Sequence, residues 1–278
     1  MADNGRLYPA VDAAFVQEMK RLCCAADIIL PNLTEACLLT GMEYRESYDE
    51  AYIRAVLEQL SALGAKTIVL TGASSGIGYE LLKLVAAPEL NNTILAVSRT
   101  SEQKLEGFAR NVIPFNADIS SKESIDSIFE KAESLFEKID IFYNNAGFPY
   151  VENYNYLNWD RVEYIFKGNT LGPIYMYPKY LEHLKGRPGH LAYTISCIGK
   201  MALPGYALYT GAKFGLHGFQ QAIRLELPDN LKLTCLYPVG TDTNFFAAGS
   251  DNIEIKKPWP IQKPEYIARL MVKGMAAG

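Results

Sequence analysis

The chain has 278 residues, 49% of them hydrophobic and 21% charged, so it is long and apolar enough to build one or two packed domains. Its formal net charge of −4, without a basic stripe, argues against nucleic acid as the main partner. No apolar run approaches the roughly 18 residues of a membrane span, and the first residues lack the apolar core of a signal peptide. We therefore expect a cytoplasmic protein without a membrane partner.

The cysteines and histidines show no metal-binding pattern. The five cysteines are odd in number and irregularly spaced, which is typical of buried free thiols in a reducing compartment (Cys23, Cys24, Cys37, Cys197, Cys235). The three histidines are scattered along the chain (His183, His190, His217). We therefore predict no metal site.

The first 65 residues predict an α/β segment. Apolar residues recur at helical spacing over residues 11–25, 33–39 and 48–63, and residues 27–30 are a short strand candidate closed by Pro31. On these patterns alone, the segment is an ordinary α/β leader.

The same region has a more specific interpretation. The stretches DNGRLYP, ADIILPNLTEACLLTG and YDEAYIRAVLEQLSALGAKTIVLTG closely resemble consecutive pieces of pyridoxal/pyridoxamine kinases of the ribokinase-like family, over roughly residues 1–72. Asn32 and Glu35 match that family's N-x-x-E motif, whose side chains help to organise metal and phosphates. The family's N-terminal substrate-binding part is absent, and Gly240-Thr241-Asp242 stands in a different context from its catalytic Gly-Asp loop. We interpret residues 1–65 as a non-catalytic, kinase-like fragment.

From residue 66 onward, strand and helix patterns alternate. Strands are predicted at residues 67–71, 93–98, 112–115, 139–144, 190–196 and 232–237, and the longest helical patterns are at residues 77–87, 122–137, 159–184 and 209–225. Alternating βαβ units indicate a Rossmann-like, doubly wound parallel sheet with helices on both faces. We therefore predict a second domain over residues 66–278.

The stretch KTIVLTGASSGIG, residues 66–78, organises this domain. A β-branched run ends in a turn with three glycines, Gly72, Gly76 and Gly78, and a helix follows. Such a turn lets the backbone approach a pyrophosphate, and the helix N-terminus offers free N–H groups. The spacing G-x-x-x-G-x-G differs from G-x-G-x-x-G, so an ordinary tight turn is an equally good interpretation of this stretch alone.

The second strand of this domain ends in Ser98-Arg99, and residues 93–100 contain no Asp or Glu. An acidic residue there would hold a free ribose 2′-hydroxyl, whereas an arginine suits a 2′-phosphate. Arg99 therefore favours NADP(H) over NAD(H). The alternative is a solvated surface charge.

Tyr209 and Lys213 are the strongest catalytic candidates. Their i,i+4 spacing puts them on one helix face, where a lysine charge is expected to lower the pKa of the phenol. Such a tyrosine can exchange a proton with an alcohol or carbonyl oxygen. Ser196, at the end of the preceding strand, can hydrogen-bond the same oxygen. Tyr175 and Lys179 share the spacing but lack an upstream serine, and we interpret them as structural.

Taken together, the motifs of residues 66–278 resemble the short-chain dehydrogenase/reductase family. The resemblance rests on TGASSGIG at 71–78, Asp118, NNAG at 144–147, Asn169, Ser196, YTGAK at 209–213 and PVGTDT at 238–243. It implies catalytic roles for Ser196, Tyr209, Lys213 and Asn169, the last as anchor of a water in a proton relay. It implies cofactor contacts from Gly72, Ser74, Ser75, Gly76, Ile77, Gly78, Arg99, Asp118, Asn145, Ala146, Gly147, Tyr209, Lys213, Pro238, Gly240, Thr241 and Thr243. Ser75 stands where NADP-preferring members often carry a basic residue.

The sequence thus predicts an NADP(H)-dependent oxidoreductase acting on a small-molecule carbonyl/alcohol pair, as a homo-oligomer, dimer or tetramer. The alternatives are a phosphotransferase, supported by residues 1–72 only, and a non-catalytic dinucleotide-binding protein. Six apolar residues could line a substrate pocket or belong to the core (Phe148, Tyr150, Met201, Leu203, Phe245, Phe246).

Overall fold

The computed structural model describes residues 1–23, 29–61, 64, 66–151, 158–245, 249 and 261–277. The chain divides into two compact units: unit 1 is Met1–Lys66 with Ala87–Asn92, and unit 2 is Thr67–Ala86 with Thr93–Gly278. Residues 87–92 thus belong to the same compact unit as the N-terminal segment, and the predicted division into domains at residue 65 stays a prediction. The Lys66 amide donates to Asn92 Oδ1 at 2.8 Å, which ties the two pieces of unit 1 together.

Unit 1 is a small α/β segment. Strands β1 (Ala2–Asp3) and β2 (Arg6–Leu7) form an antiparallel hairpin, followed by helices α1 (Ala13–Cys23), α2 (Leu33–Thr40) and α3 (Glu50–Ser61). Its core is small, with four buried members from α2 and α3 (Ala36, Cys37, Tyr52, Val56). Of the strand predicted at 27–30, residues 27 and 28 lie outside the described residues, and Ile29 and Leu30 form no strand.

The kinase-like motif of unit 1 forms a helix cap. Asn32 Oδ1 accepts the Glu35 amide at 2.9 Å, and Glu35 Oε2 accepts the Asn32 amide at 3.2 Å, so the two residues make a reciprocal capping box at the start of α2. Glu35 Oε1 also pairs with the ammonium of Met1 at 2.7 Å. These side chains therefore hold the first turn of α2 and the β1 end together.

Unit 2 contains a six-stranded parallel sheet. Its strands are β3 (Thr67–Thr71), β4 (Thr93–Ser98), β5 (Val112–Asn116), β6 (Ile141–Asn144), β7 (Gly189–Thr194) and β8 (Leu231–Leu236). Their spatial order is β5-β4-β3-β6-β7-β8, and all neighbours are parallel. The direction of strand order reverses at β3 and β6, so a crevice opens beyond the carboxyl ends of these two strands.

The helices of unit 2 are α4 (Gly76–Val85), α5 (Ser101–Lys104), α6 (Lys122–Leu135), α7 (Trp159–Phe166), α8 (Gly172–Leu184), α9 (Ala207–Leu225) and α10 (Pro264–Ala277). A π-helical turn, Lys167–Leu171, joins α7 to α8. The helical pattern at 159–184 is thus confirmed, but its regular period is interrupted by this turn.

Successive side chains of the strands pack alternately into two hydrophobic cores, one on each face of the sheet. Ile68 and Leu70 pack with side chains of α4 and α10, while Val69 between them packs on the opposite face with side chains of α6, α8 and α9. Alternation along a strand places successive side chains on opposite faces, so helices cover both faces of the sheet. The predicted doubly wound α/β fold is confirmed.

The four described cysteines form no disulfide, as predicted, although Cys37 alone among them is buried (Cys23, Cys37, Cys197, Cys235). Cys24 lies outside the described residues. Within the described ranges, no helix combines the length and apolarity needed to cross a membrane.

Candidate active site

The glycine-rich turn after β3 is shaped for close approach of a ligand to its backbone. Gly72 has φ +72°, and a Cβ there would lie 2.9 Å from the Ala146 Cα. At Gly78 a Cβ would lie 2.1 Å from the Gly72 carbonyl oxygen, so no side chain fits. Helix α4 begins at Gly76, and the preceding Ser75 makes no side-chain cap hydrogen bond. The first N–H groups of α4 are therefore left for an anion, as dinucleotide binding requires.

Thr71 and Asn145 lock the ends of three strands together. Thr71 Oγ1 accepts hydrogen bonds from the amides of Asn145 and Ala146, each at 3.1 Å. The side chain of Asn145 donates through Nδ2 to the Thr71 carbonyl at 3.2 Å, and its Oδ1 accepts from Thr194 Oγ1 at 3.0 Å. The Asn145 side chain thus braces β3, β6 and β7, which aligns the strand ends that face the crevice.

The crevice is a cavity of about 710 Å³ within unit 2. Each residue predicted to touch the cofactor lines it: Gly72, Ser74, Ser75, Gly76, Ile77, Gly78, Arg99, Asp118, Asn145, Ala146, Gly147, Tyr209, Lys213, Pro238, Gly240, Thr241 and Thr243. Ser196 lines it as well, whereas Asn169 does not. Segments up to 171 residues apart in sequence therefore meet in one space, with the glycine-rich turn and Tyr209 on the same cavity.

Ser196, Tyr209 and Lys213, the predicted catalytic residues of the cavity lining, all come from its β7 and α9 side. Tyr209 and Lys213 are one turn apart on α9 and are both buried. The Ser196 side chain lies near enough to Tyr209 to influence its pKa, and the Ser196 Oγ accepts the Ile198 amide at 3.2 Å. Ser196 has φ +153° and ψ 154°, a conformation almost confined to glycine.

The electrostatics of this group differ from the sequence expectation. Burial raises the pKa of Tyr209 well above its usual value of 10, and the nearby Ser196 side chain opposes that rise without cancelling it. Burial also lowers the pKa of Lys213 to about 7, and Lys213 Nζ lies 5.7 Å from the Tyr209 ring centroid. The prediction that Lys213 lowers the Tyr209 pKa is therefore wrong for this geometry, because desolvation outweighs the distant ammonium. Tyr209 is a neutral phenol at neutral pH.

Asn169 lies behind the cavity, in the π-helical turn. Its Oδ1 accepts the Phe148 amide at 3.1 Å, and its Nδ2 donates to the carbonyls of Phe148 at 2.9 Å and Ile165 at 3.1 Å. A Cβ at Gly147 would lie 2.9 Å from Asn169 Oδ1, so glycine is required for this approach. The Asn169 side chain therefore holds the loop after β6, and its predicted water-anchoring role stays a prediction.

The Tyr175 and Lys179 pair lies elsewhere. Tyr175 donates to Asp126 Oδ1 at 2.8 Å, and Lys179 pairs with the same oxygen at 2.9 Å. Both residues thus tie α8 to α6, in agreement with the structural interpretation. The described part of the chain also brings no set of three metal-ligating side chains together.

Comparison with known proteins shows the family to which this chain belongs. The sequence profile described as short chain dehydrogenase matches residues 66–254. The chain belongs to the short chain dehydrogenase family. The predicted membership in a family of NAD(P)-dependent dehydrogenases and reductases is thereby confirmed, and the match begins at the residue where the family motifs begin.

Curated relatives of this short chain dehydrogenase are similar over most of the chain. It is 27% identical over 198 residues to an uncharacterized oxidoreductase of Schizosaccharomyces pombe, covering 70% of this chain and 66% of that protein. It is 30% identical over 218 residues to the uncharacterized oxidoreductase YxnA of Bacillus subtilis, covering 74% and 60%. The chain thus spans less than two thirds of the length of both relatives.

A solved structure shares the fold. The crystal structure of a 3-ketoacyl-(acyl-carrier-protein) reductase from Brucella melitensis, complexed with NADH, aligns with a TM-score of 0.66 and 25% identity. The alignment covers 74% of this chain and 89% of that one.

The cavity of this short chain dehydrogenase also contains residues that the sequence analysis did not single out. Lys104, at the end of α5, lines it together with Arg99, and Tyr206 lines it near Tyr209. Of the six apolar pocket candidates, Phe148, Leu203 and Phe245 line the cavity, Tyr150 and Met201 do not, and Phe246 lies outside the described residues. Lys104 could have been found in the sequence, because it is a basic residue that follows soon after Arg99. Tyr206 had no signal besides its closeness to Tyr209.

Proposed function

We propose that this chain is an NADP(H)-dependent oxidoreductase that transfers a hydride between nicotinamide and a carbonyl/alcohol substrate. The observation that carries the proposal is the convergence of Ser196, Tyr209 and Lys213 on a cavity that also contains the glycine-rich turn. A non-catalytic dinucleotide-binding protein does not require that convergence. A small-molecule substrate and a cytoplasmic homo-oligomer, dimer or tetramer, remain part of the proposal.

The residues present fit a dinucleotide. A Cβ at Gly72 would collide with Ala146 and one at Gly78 with the Gly72 carbonyl, so only glycines allow the close packing of this turn, and the N-terminus of α4 carries no side-chain cap. Pyrophosphate would be held by this turn and the start of α4. When bound, the nicotinamide supplies or accepts the hydride.

The chain's own groups move the proton. Tyr209 is a neutral phenol, so it can donate a proton to the oxygen of a carbonyl as that oxygen gains charge. Ser196, which lines the same cavity as Tyr209, can hold the same oxygen. Lys213 Nζ lies 5.7 Å from the centroid of the Tyr209 ring, and a proton on its amine would help to stabilise the phenolate left after transfer. The arrangement therefore supports carbonyl reduction, with Tyr209 as general acid.

The test is Tyr209→Phe, compared with Tyr175→Phe as the matched control. Tyr175 has the same spacing to a lysine but binds Asp126 outside the cavity. Loss of a positioned general acid should lower NADPH-dependent reduction across a carbonyl panel by about 100-fold or more. NADPH binding, followed by nicotinamide fluorescence, should be retained. An unchanged rate in Tyr209→Phe would remove Tyr209 from the mechanism.

The preference for NADPH rests on Arg99 and Lys104, which bring two positive charges to the same end of the cavity. Arg99→Ala should weaken NADPH binding about tenfold or more and leave NADH binding nearly unchanged, since only NADPH carries the 2′-phosphate. Equal losses for both cofactors would mean that Arg99 does not read that phosphate.

A further inference from the structure

Arg99 is held in place by two aromatic side chains from distant parts of unit 2. Its guanidinium lies 5.0 Å from the centroid of the Phe148 ring, and Nη1 donates to the Tyr164 hydroxyl at 2.8 Å. The Phe148 and Tyr164 rings are themselves stacked, with centroids 4.7 Å apart. Phe148 therefore forms the platform of the guanidinium, and Tyr164 fixes its rotation. We refer to Phe148 and Tyr164 as the arginine clamp.

The clamp is itself anchored on the π-helical turn. Asn169 binds both the amide and the carbonyl of Phe148, so the Phe148 backbone cannot move without breaking two hydrogen bonds. Gly168, the residue before Asn169, lies under the ring: a Cβ there would lie 2.1 Å from Phe148 Cε2. The turn thus holds Phe148 by backbone and ring together.

The clamp leaves Arg99 able to bind an anion. Arg99 is exposed and lines the cavity. Among the described residues, its hydrogen bond is to Tyr164 through Nη1, and an arginine has five N–H donors. A long side chain loses much rotamer freedom when it grips a ligand, and holding the group in its bound orientation beforehand reduces that loss.

We propose that Phe148 and Tyr164 are positioning residues that orient Arg99 toward the ribose 2′-phosphate and so set cofactor selectivity. This inference rests on the proposed NADPH preference. The clamp acts on NADPH alone, because NADH has no ribose 2′-phosphate for the guanidinium to bind. It also gives the π-helical turn, which carries a predicted catalytic residue, a second role in cofactor choice.

The experiment measures dissociation constants of NADPH and NADH, by nicotinamide fluorescence, for four variants of the full chain. Tyr164→Phe keeps the ring and removes the hydroxyl, and should weaken NADPH binding about threefold to tenfold, the usual effect of one partly exposed hydrogen bond. Phe148→Leu removes the aromatic platform and should weaken NADPH binding about twofold to fivefold. NADH binding should be unchanged in both variants. Tyr177→Phe is the matched control, because Tyr177 is a half-buried tyrosine in edge-to-face contact with Phe219, away from Arg99.

The fourth variant, Arg99→Ala, separates the possible failures. In its background, Tyr164→Phe should have no further effect on NADPH binding, because the residue acts through Arg99. If Arg99→Ala leaves the ratio of NADPH affinity to NADH affinity unchanged, the proposed cofactor preference fails. If Arg99→Ala lowers this affinity ratio but Tyr164→Phe leaves it unchanged or raises it, the clamp is overturned while the preference stands. Parallel losses for NADPH and NADH would indicate a merely structural role and would also overturn the clamp.

Discussion

Lys213 is a buried amine whose hydrogen-bond partner is a single carbonyl, Thr194 O at 3.4 Å. Because burial lowers its pKa to about 7, the folded chain loses this proton near pH 7, whereas the unfolded chain keeps it to about pH 10.5. The unfolded chain therefore binds more protons across that window. The contribution of Lys213 to stability is full above about pH 10.5 and is lost as the pH falls toward 7.

This linkage predicts that the free energy of unfolding depends on pH differently in the unmodified chain and in Lys213→Met. Between about pH 7 and pH 10, the unfolding free energy of the unmodified chain should rise relative to that of Lys213→Met, which cannot release a proton there. Urea unfolding at four pH values in this range measures the difference, and other titrating groups cancel because both chains share them. Parallel pH profiles would show that the amine is not desolvated in the folded protein.

At the residue scale, the sequence identified which side chains meet but not how they behave. Helical periodicity was sufficient to place Tyr209 and Lys213 on one face. Their pKa shifts depend on burial by segments far away in sequence, so the expected lowering of the Tyr209 pKa was wrong. The contact of Arg99 with Phe148 and Tyr164 spans 49 and 65 residues, and no local pattern encodes it.

At the element scale, the turn between β3 and α4 depends on glycine more than any other described connection of the site. The Cβ of Gly78→Ala would lie 2.1 Å from the Gly72 carbonyl oxygen, and backbone cannot yield as a flexible side chain can. The turn must therefore open, and NADPH binding should fall by about tenfold or more as the N–H groups of α4 move away from the pyrophosphate.

Gly218→Ala in α9 is the matched control for Gly78→Ala. No atom lies within 4 Å of a Cβ at Gly218, and alanine is favoured over glycine in a helix interior. This substitution should stabilise the chain by about 0.5–1 kcal/mol in urea unfolding and leave NADPH binding unchanged. Tight NADPH binding by Gly78→Ala would contradict the proposed role of the turn.

The elements of unit 2 were largely predictable because each carries a strong periodic signal. The strands at 67–71 and 93–98 match the prediction residue for residue, and buried β-branched runs explain why. The short helix α5 was missed, since four residues give too little period to detect. The π-helical turn was missed as well, because its extra residue is stabilised by Asn169 binding Phe148 and Ile165 rather than by local sequence.

At the scale of the whole molecule, the six-stranded sheet is complete without residues 1–66. All six strands lie at or after Thr67, and β3 pairs with β4 on one edge and with β6 on the other. A strand has two hydrogen-bonding edges, so β3 has none left for a strand from a kinase-like sheet. Both core clusters of the sheet consist of residues from Ile68 onward. The resemblance of residues 1–72 to a kinase stays a prediction, as does the passenger role of this segment.

Because the six-stranded sheet is complete without residues 1–66, a chain that begins near Ala65 should fold, bind NADPH and retain the activity of the full chain. The physical reason is that it keeps every strand of the six-stranded sheet, both cores of that sheet and the entire lining of the cavity. Soluble yield, NADPH affinity by nicotinamide fluorescence and turnover with the same carbonyl substrates are compared between the two chains.

The full chain is also assayed for ATP-dependent phosphorylation of pyridoxal. No phosphorylation is expected, because Asn32 and Glu35 are engaged in capping α2 and no kinase catalytic loop is recognised in the sequence. An insoluble truncated chain would show that residues 1–64 belong to the folding unit. Measurable pyridoxal kinase turnover by the full chain would show that they belong to an active site.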